Sequence, residues 1–354
     1  MPDTNDMRAV ILDFPQQFLR GIEAARNAKP EGPFATAVVC GMGGSAMAAA
    51  EHLQALATAR GSQTAVWIHR SYDLPAGLAG KVLVIASSYS GDTEETLSAY
   101  HAAKKRGCTT VAITSGGKLA ELARADHSTL IELKTKGIPP RLAVGEINSA
   151  MLTVLAQAGV IAPVEAELRQ LAAWLAPDTY ETESEELARE LKGKIPVVYA
   201  SDPWKVAARS WKAAFNENAK TPAFWNHFPE LDHNELAGFS RSIGHIPHEL
   251  AAKYLSIILL KDPYEEPRMA ERMEATQKIL REHDIPLHEV TIDGSTPLAK
   301  IFSKVTIDGS TPLANVFSTI VRGQLVSYYL ALEYGIDPTP IEIIEELKKR
   351  LAED

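Results

Sequence analysis

Cysteine is scarce: Cys40 and Cys108 are the only two in 354 residues, and neither has a CxxC partner. Both read as buried packing residues of a reducing cytoplasm. Long apolar runs are missing as well. None approaches the ~18 residues of a membrane span, and the opening MPDTNDMRAV carries no signal-peptide pattern, so a cytoplasmic location is expected. There is no basic run, and a formal net charge of -9 argues against nucleic-acid binding. That charge also means the field of the whole molecule will not draw in an anion, so any bound phosphate must rely on local dipoles and a few cations. A GxGxxG fingerprint is absent, and no Lys follows the glycines at 41–44, so no dinucleotide or nucleoside triphosphate site is expected. His227, His233, His245 and His248 match no common zinc spacing, and no metal is expected.

What is present is an alternation of short apolar runs and amphipathic segments. Length allows two domains, and 45% hydrophobic with 23% charged residues is ordinary for a globular protein. Met7–Lys29 reads as one amphipathic helix bent by Pro15. Strands are expected at Thr36–Cys40, Thr64–His69, Lys81–Ala86, Thr109–Ile113 and Ser128–Glu132, with helices between them, including one over Ala46–Ala59. Helix Val144–Ala158 follows. The second half repeats the plan, with strands at Ile195–Ala200, Pro222–His227, Tyr254–Leu260 and Leu287–Ile292. The helices of that half are expected over Pro203–Ala219, Pro267–His283, Leu313–Gly335 and Pro340–Ala352. This pattern is that of an α/β protein with two doubly wound sandwiches and mainly parallel sheets flanked by helices. The expected division is a first domain over 1–160, an acidic and partly helical connector over 161–193, and a second domain over 194–354. The charges of the connector, densest at 181–186, are expected to face water.

Two strand-to-helix loops carry the first chemistry. After Lys81–Ala86 comes Ser87-Ser88-Tyr89-Ser90-Gly91-Asp92-Thr93, then the helix from Glu94. A helix start has unpaired N–H groups and partial positive charge, so hydroxyls there suit a phosphate. Gly91 is expected to let the backbone approach the ligand. The same residues also fit a plain Ser/Thr cap, and this loop alone leaves both readings open. A second loop, Gly41-Met42-Gly43-Gly44-Ser45, follows strand Thr36–Cys40 in the same manner. Two such loops at neighbouring strand ends suit one small phosphate monoester.

Three side chains offer acid–base or electrostatic chemistry. Helix Pro203–Ala219 has an apolar stripe of Trp204, Ala208, Trp211 and Phe215, and a narrow second stripe of Ser210, Ala213 and Glu217. A Glu on a face of small residues can approach a ligand as a general base, although an exposed helix-end Glu looks the same in sequence. His233, in Pro229-Glu230-Leu231-Asp232-His233-Asn234-Glu235, suits an acid or base near neutral pH. Arg141 follows two prolines that hold its backbone stiffly, which fits either an oxyanion-stabilising guanidinium or a surface loop residue.

Val290–Lys304 reads VTIDGSTPLAKIFSK and Val305–Thr319 reads VTIDGSTPLANVFST, identical at twelve of fifteen positions. A single near-perfect pair is not a solenoid. It reads as a tandem duplication, in which one copy supplies strand and helix and the other loops out or forms a surface strand.

Taken together, GMGGSA, SSYSGDTEET, PPR, FNENAK, ELDHNE and GIDPTP, in this order, resemble the bifunctional phosphoglucose/phosphomannose isomerases of the sugar isomerase (SIS) superfamily. The resemblance covers nearly the whole chain; the extra fifteen residues depart from it. It implies two SIS domains, no cofactor and a hexose phosphate substrate. It implies aldose–ketose isomerisation of glucose 6-phosphate and mannose 6-phosphate with fructose 6-phosphate through an enediol(ate). By the resemblance, Ser45, Ser88, Ser90 and Thr93 bind phosphate, with Gly43 and Gly44 shaping their loop. Glu217 is the base, Arg141 the transition-state cation, and His233 the ring-opening group donated across a homodimer. Thr339 accommodates both C2 epimers, and Lys348 lies near the sugar ring. A sugar-phosphate sensor of the same fold, or an isomerase of another sugar phosphate, is the rival expectation.

Overall fold

The computed structural model describes residues 3–43, 62–241, 246–292 and 313–353. Gly44, Ser45, the helix expected over 46–59, His245 and residues 293–312 of the duplication lie outside the described residues.

The chain opens with α1 (Met7–Leu12) and α2 (Phe14–Ala25). The single bent helix expected over 7–29 is two helices. Asp13 ends the first, and Pro15 lies in the first turn of the second, where its missing N–H costs nothing. The first sheet has β1 (Thr36–Cys40), β2 (Ala65–His69), β3 (Val82–Ser87), β4 (Thr109–Thr114) and β5 (Thr129–Glu132) in the order β2-β1-β3-β4-β5, all pairs parallel. Strands β1 and β3 are buried along their whole length, as their continuous apolar sequences require. Helices α3 (Glu94–Lys105) and α4 (Gly117–Ala125) connect the later strands. A short 3-10 turn at Pro140–Leu142 leads into α5 (Val144–Gln157), which is buried nearly all round.

Helices α6 (Glu165–Trp174) and α7 (Glu181–Leu191) fill the connector. Its charges do not all face water. Glu181, 17% exposed, accepts from the Arg8 guanidinium at 2.6 and 2.8 Å and from the Tyr329 hydroxyl at 2.6 Å, whereas Glu183, Glu185 and Glu186 are exposed. On the other face Leu168, Leu171, Ala188 and Leu191 are buried. The segment docks because its acidic residues alternate with an apolar stripe at helical spacing, which composition alone conceals.

The second sheet has β6 (Ile195–Ser201), β7 (Phe224–Phe228), β8 (Leu255–Lys261) and β9 (Leu287–Thr291) in the order β7-β6-β8-β9, again all parallel. Its helices are α8 (Lys205–Glu217), α9 (Ile246–Tyr254) and α10 (Pro267–Glu282). The long α11 (Leu313–Glu333) and the terminal α12 (Glu342–Glu353) complete the described chain. Helix α11 is buried on almost every side. Its Phe317 ring packs on Phe14 and Phe18 from the N-terminal helices. At Gly323 a Cβ would stand 2.5 Å from the Trp211 ring, so this glycine lets α11 and α8 cross closely. These contacts join the two halves through one apolar core. No described helix is long and apolar enough to cross a membrane. Cys40 is buried as expected, whereas Cys108 is half-buried: it precedes β4, where the strand has not yet entered the core.

Candidate active site

The two sheets share a strand order, in which the chain reverses direction beside the first strand of each. In an open parallel sheet this reversal opens a crevice at the carboxyl ends of the strands. In the first sheet it lies between β1 and β3, with Cys40 beside Ala86. The loops carrying Gly43 and Ser88 leave from there.

The loop after β3 gathers its hydroxyls. Thr93 occupies the N-cap of α3, yet its side chain makes no bond to the helix. Its Oγ1 instead stands 2.8 Å from Ser88 Oγ, which is 3.5 Å from Ser90 Oγ. The Gly91 N–H donates to Ser88 Oγ and the Asp92 N–H to Ser90 Oγ. A plain helix cap therefore does not describe Thr93. Gly91 has φ +80°, and a Cβ there would meet the Gly116 carbonyl at 2.0 Å. Its freedom serves this packing against the next loop. The neighbouring Tyr89 donates to the Thr135 carbonyl at 2.8 Å, which ties the hydroxyl loop to the segment leading to Arg141.

Arg141 is buried, 8% exposed, on the 3-10 turn. Its Nε donates to Asn218 Oδ1 at 2.6 Å, and its NH2 group donates to the carbonyls of Pro338 and Thr339 at 2.8 and 3.0 Å. Glu217 Oε2 stands 3.7 Å from its NH1. The surface-loop reading of Arg141 does not hold, because residues 77 and 197 positions away in sequence fix its guanidinium.

Glu217 ends α8 with its side chain 24% exposed. The apolar stripe of that helix faces the core, with Trp204, Ala208, Trp211 and Phe215 all buried. The narrow stripe of Ser210, Ala213 and Glu217 lines a cleft of about 290 Å³, together with Gly43 and the cationic Arg70, Arg209 and Lys212. Burial pushes the Glu217 carboxyl above its usual range, and Arg141, then Lys220, Lys212 and Lys348, only partly pull it back. Burial likewise lowers the Arg141 guanidinium, against the pull of Glu217. Lys220, with φ +51°, donates to the carbonyls of Glu217, Asn218 and Pro338. Burial first, and Arg141 second, push its ammonium down to about 8.

Thr339 turns its N–H to Asp337 Oδ1, while its Oγ1 is buried without a hydrogen-bond partner. Lys348, on the exposed face of α12, pairs with Glu345 at 2.7 Å and lies within electrostatic reach of Glu217. His233 is exposed and does not line the cleft. Its loop is anchored by its neighbours: Tyr199 and Asn226 both donate to Glu235 at 2.5 Å, and Asp232 accepts from Arg272 and Thr276. Glu217, Arg141 and Gly43 thus meet at or behind one cleft, with Thr339 on the Arg141 side, whereas Ser88, Ser90, Thr93 and His233 do not line it.

Sequence reasoning missed Arg70, Arg209 and Lys212, the local cations that the negative overall charge makes necessary. It also passed over Asn218 and Lys220, which stand in the same FNENAK stretch as Glu217. The second sheet differs at the corresponding place. At the matching ends of β6 and β8, Ser201 donates to Glu265, beside Asp262. Carboxylates there repel an anion where the first sheet offers hydroxyls.

Over 97% of its length the chain is 35% identical to the bifunctional phosphoglucose/phosphomannose isomerase of Caldicellulosiruptor bescii, spanning 98% of that protein. The chain belongs to the bifunctional phosphoglucose/phosphomannose isomerase family. The family member from Thermoplasma acidophilum is 32% identical over 91% of each chain. The bacterial phospho-glucose isomerase C-terminal SIS domain matches residues 180–307 and again 302–351, so the match breaks and restarts inside the duplication. In fold, the chain is similar to the C-terminal domain of glucosamine-fructose-6-phosphate aminotransferase from Francisella tularensis, with a TM-score of 0.71 at 16% identity, covering 96% of this chain and 98% of that one.

Proposed function

We propose that this protein interconverts glucose 6-phosphate and mannose 6-phosphate with fructose 6-phosphate, in the cytoplasm and without a cofactor. The observation that carries the reading is the Glu217–Arg141 pair: a carboxylate whose proton affinity is raised, 3.7 Å from a buried guanidinium, at a cleft lined by cations. Ser45, Ser88, Ser90 and Thr93, with the Gly43–Gly44 loop, hold the phosphate. That remote binding positions the reacting carbons.

On the open-chain aldose, Glu217 takes the proton from C2 and a cis-enediolate forms. Its charge rests on oxygen, where Arg141 stabilises it. Glu217 returns the proton to C1 while the O2 proton passes to O1, and the ketose results. A base with a raised pKa suits this double task, since it must release the proton as readily as it takes it. Thr339 accommodates either C2 epimer. Lys348 lies near the ring.

His233 opens the cyclic sugar from the partner subunit of a homodimer. Two features support this reading: His233 lies away from the cleft of its own chain, and α12 exposes Ile343, Leu347 and Leu351. An exposed apolar stripe of this kind suits an interface. A sensor of the same fold would need the phosphate loops but not the Glu217–Arg141 pair. An assay of fructose 6-phosphate formation from each epimer tests the proposal; turnover of neither overturns it.

A further inference from the structure

Every acceptor directly bonded to Arg141 is uncharged. The guanidinium donates to the Asn218 amide oxygen and to two backbone carbonyls, and its one nearby carboxylate, Glu217, stands off at 3.7 Å. Asn218 is fully buried. Arg has no acceptor, so the Asn218 oxygen must face Arg141, and the Asn218 Nδ2 donates to Ser327 Oγ at 2.9 Å on α11. The Ser327 hydroxyl in turn donates to the Gln324 carbonyl, and Gln324 Nε2 donates to the Arg141 carbonyl at 3.2 Å. This closed ring grips Arg141 by side chain and backbone and contains no formal charge besides its own. Elsewhere in the chain half-buried Arg side chains meet carboxylates, as Arg20 meets Asp13 and Arg322 meets Glu183. An Asp is nearly isosteric with Asn and would bond Arg more strongly.

We propose that Asn218 is a positioning residue chosen for its neutrality: it fixes the Arg141 guanidinium while leaving its full charge to act on the reacting oxygen. The inference deepens the proposed isomerase reading and rests on it. A carboxylate at 218 would hold Arg141 equally well in space but cancel much of its field. Glu217 would feel this loss too. The charged groups facing Glu217 are Arg141 from the turn after β5, Lys212 and Lys220 from α8 and its end, and Lys348 from α12, with Arg70 after β2 and Arg209 of α8 lining the same cleft. Asp337 and Glu342 act on Lys220 from beyond. With Arg141 neutralised and a new carboxylate nearby, Glu217 would gain proton affinity.

The test compares Asn218→Asp and Asn218→Ser with the wild type in steady-state kinetics on both epimers and in thermal melts. For Asn218→Asp we expect an unchanged or higher Tm, a KM within a few-fold of wild type, and a kcat lower by about 10²-fold, the scale of losing one electrostatic stabiliser. The acid limb of kcat/KM should move to higher pH. Asn218→Ser adds no charge but is too short to reach Arg141, so its kcat should fall through lost positioning while its limb stays in place. Wild-type kcat and an unmoved limb in Asn218→Asp would overturn the inference. So would an equal limb shift in Asn218→Ser, which adds no charge; if Asn218→Asp does not fold, a shifted limb in Asn218→Ser alone overturns the inference. Wild-type turnover itself tests the isomerase reading, so the two failures are distinguishable.

Discussion

Trp211 donates its indole N–H to the Thr319 carbonyl at 2.6 Å, and Thr319 is the last residue of the second of the two near-identical segments. The described strand β9 ends in Val290-Thr291 of the first copy, while α11 begins in the second. Two of the three mismatches explain the choice of helix. Where α11 buries Asn315 at 4% and Thr319 at 1% exposure, the first copy has Lys300 and Lys304. Removing residues 290–304 joins Glu289 to an identical Val-Thr-Ile and keeps the native start of α11. That deletion should leave melting temperature and activity at or above those of the full chain. Removing 305–319 would instead place two lysines in the core, each costing several kcal/mol by about the scale of an unpaired buried charge, and should abolish cooperative melting. Equal melting of the two deletions would refute the assignment.

The hydroxyl cluster predicts a binding defect. Ser90→Ala and Ser88→Ala should each raise KM for fructose 6-phosphate, by roughly 1–2 kcal/mol for a lost hydrogen bond to a charged group, with less effect on kcat. An unchanged KM in both variants would remove the loop from the phosphate site.

Glu217→Gln keeps the shape of the base without its basicity. Its kcat should fall by about 10²–10⁴-fold, and solvent deuterium should no longer enter the carbon beside the carbonyl. The same variant has a stability signature. The folded-state pKa of Glu217 lies above the usual 4.5, so the unfolded chain loses this proton first. The cost of ionisation is absent below 4.5, grows as pH rises toward the folded value, and stays constant beyond it. Melting at pH 7 should therefore favour Glu217→Gln over wild type, and the gap should close near pH 4. Wild-type deuterium exchange in the variant would exclude Glu217 as the base.

Donation of His233 across a dimer can be read by mixing. Glu217→Gln and His233→Ala should each be inactive on the cyclic sugar. Dimers carrying one of each would hold one intact site, so co-refolded material should recover about a quarter of wild-type activity by random pairing of subunits. If recovery does not exceed that of the separate variants, each subunit works with its own histidine.

Gly91 makes a stability prediction. With φ +80° and a Cβ meeting the Gly116 carbonyl at 2.0 Å, Gly91→Ala should cost at least about 2 kcal/mol, through strain and displacement of the loop. Urea melts would measure it. A loss of substrate binding without loss of stability would give this glycine a ligand-facing role instead.

The strands were legible because a parallel sheet buried on both faces needs continuous apolar runs, and Val82–Ser87 and Ile195–Ser201 are such runs. Glu217 was visible through the small-residue stripe it shares with Ser210 and Ala213, and that stripe does line the cleft. Arg141 was visible through its prolines, but its partners were not. Asn218, Pro338 and Thr339 reach it only through folding, and no local pattern marks a residue for a contact 197 positions away. In the acidic connector Glu183, Glu185 and Glu186 are exposed as expected, and only Glu181 is drawn in, by Arg8 and Tyr329 from distant helices. At Gly91 the sequence carries no sign of the packing against the Gly116 loop that the fold brings about.

The Pro338 carbonyl accepts from both Arg141 and Lys220. The last stretch of the chain is thus stitched to the end of α8 through a single peptide group. A protease that clipped ahead of Asp337 would remove two of the acceptors that hold the Arg141 guanidinium, and one of those that hold the Lys220 ammonium. Two cations beside Glu217 would each lose part of their support at once, Arg141 keeping only Asn218 and Lys220 only the Glu217 and Asn218 carbonyls. Tail trimming, or a fusion that drags on this end, would then silence the enzyme while leaving both sheets folded, and intact termini become a condition for any activity measurement.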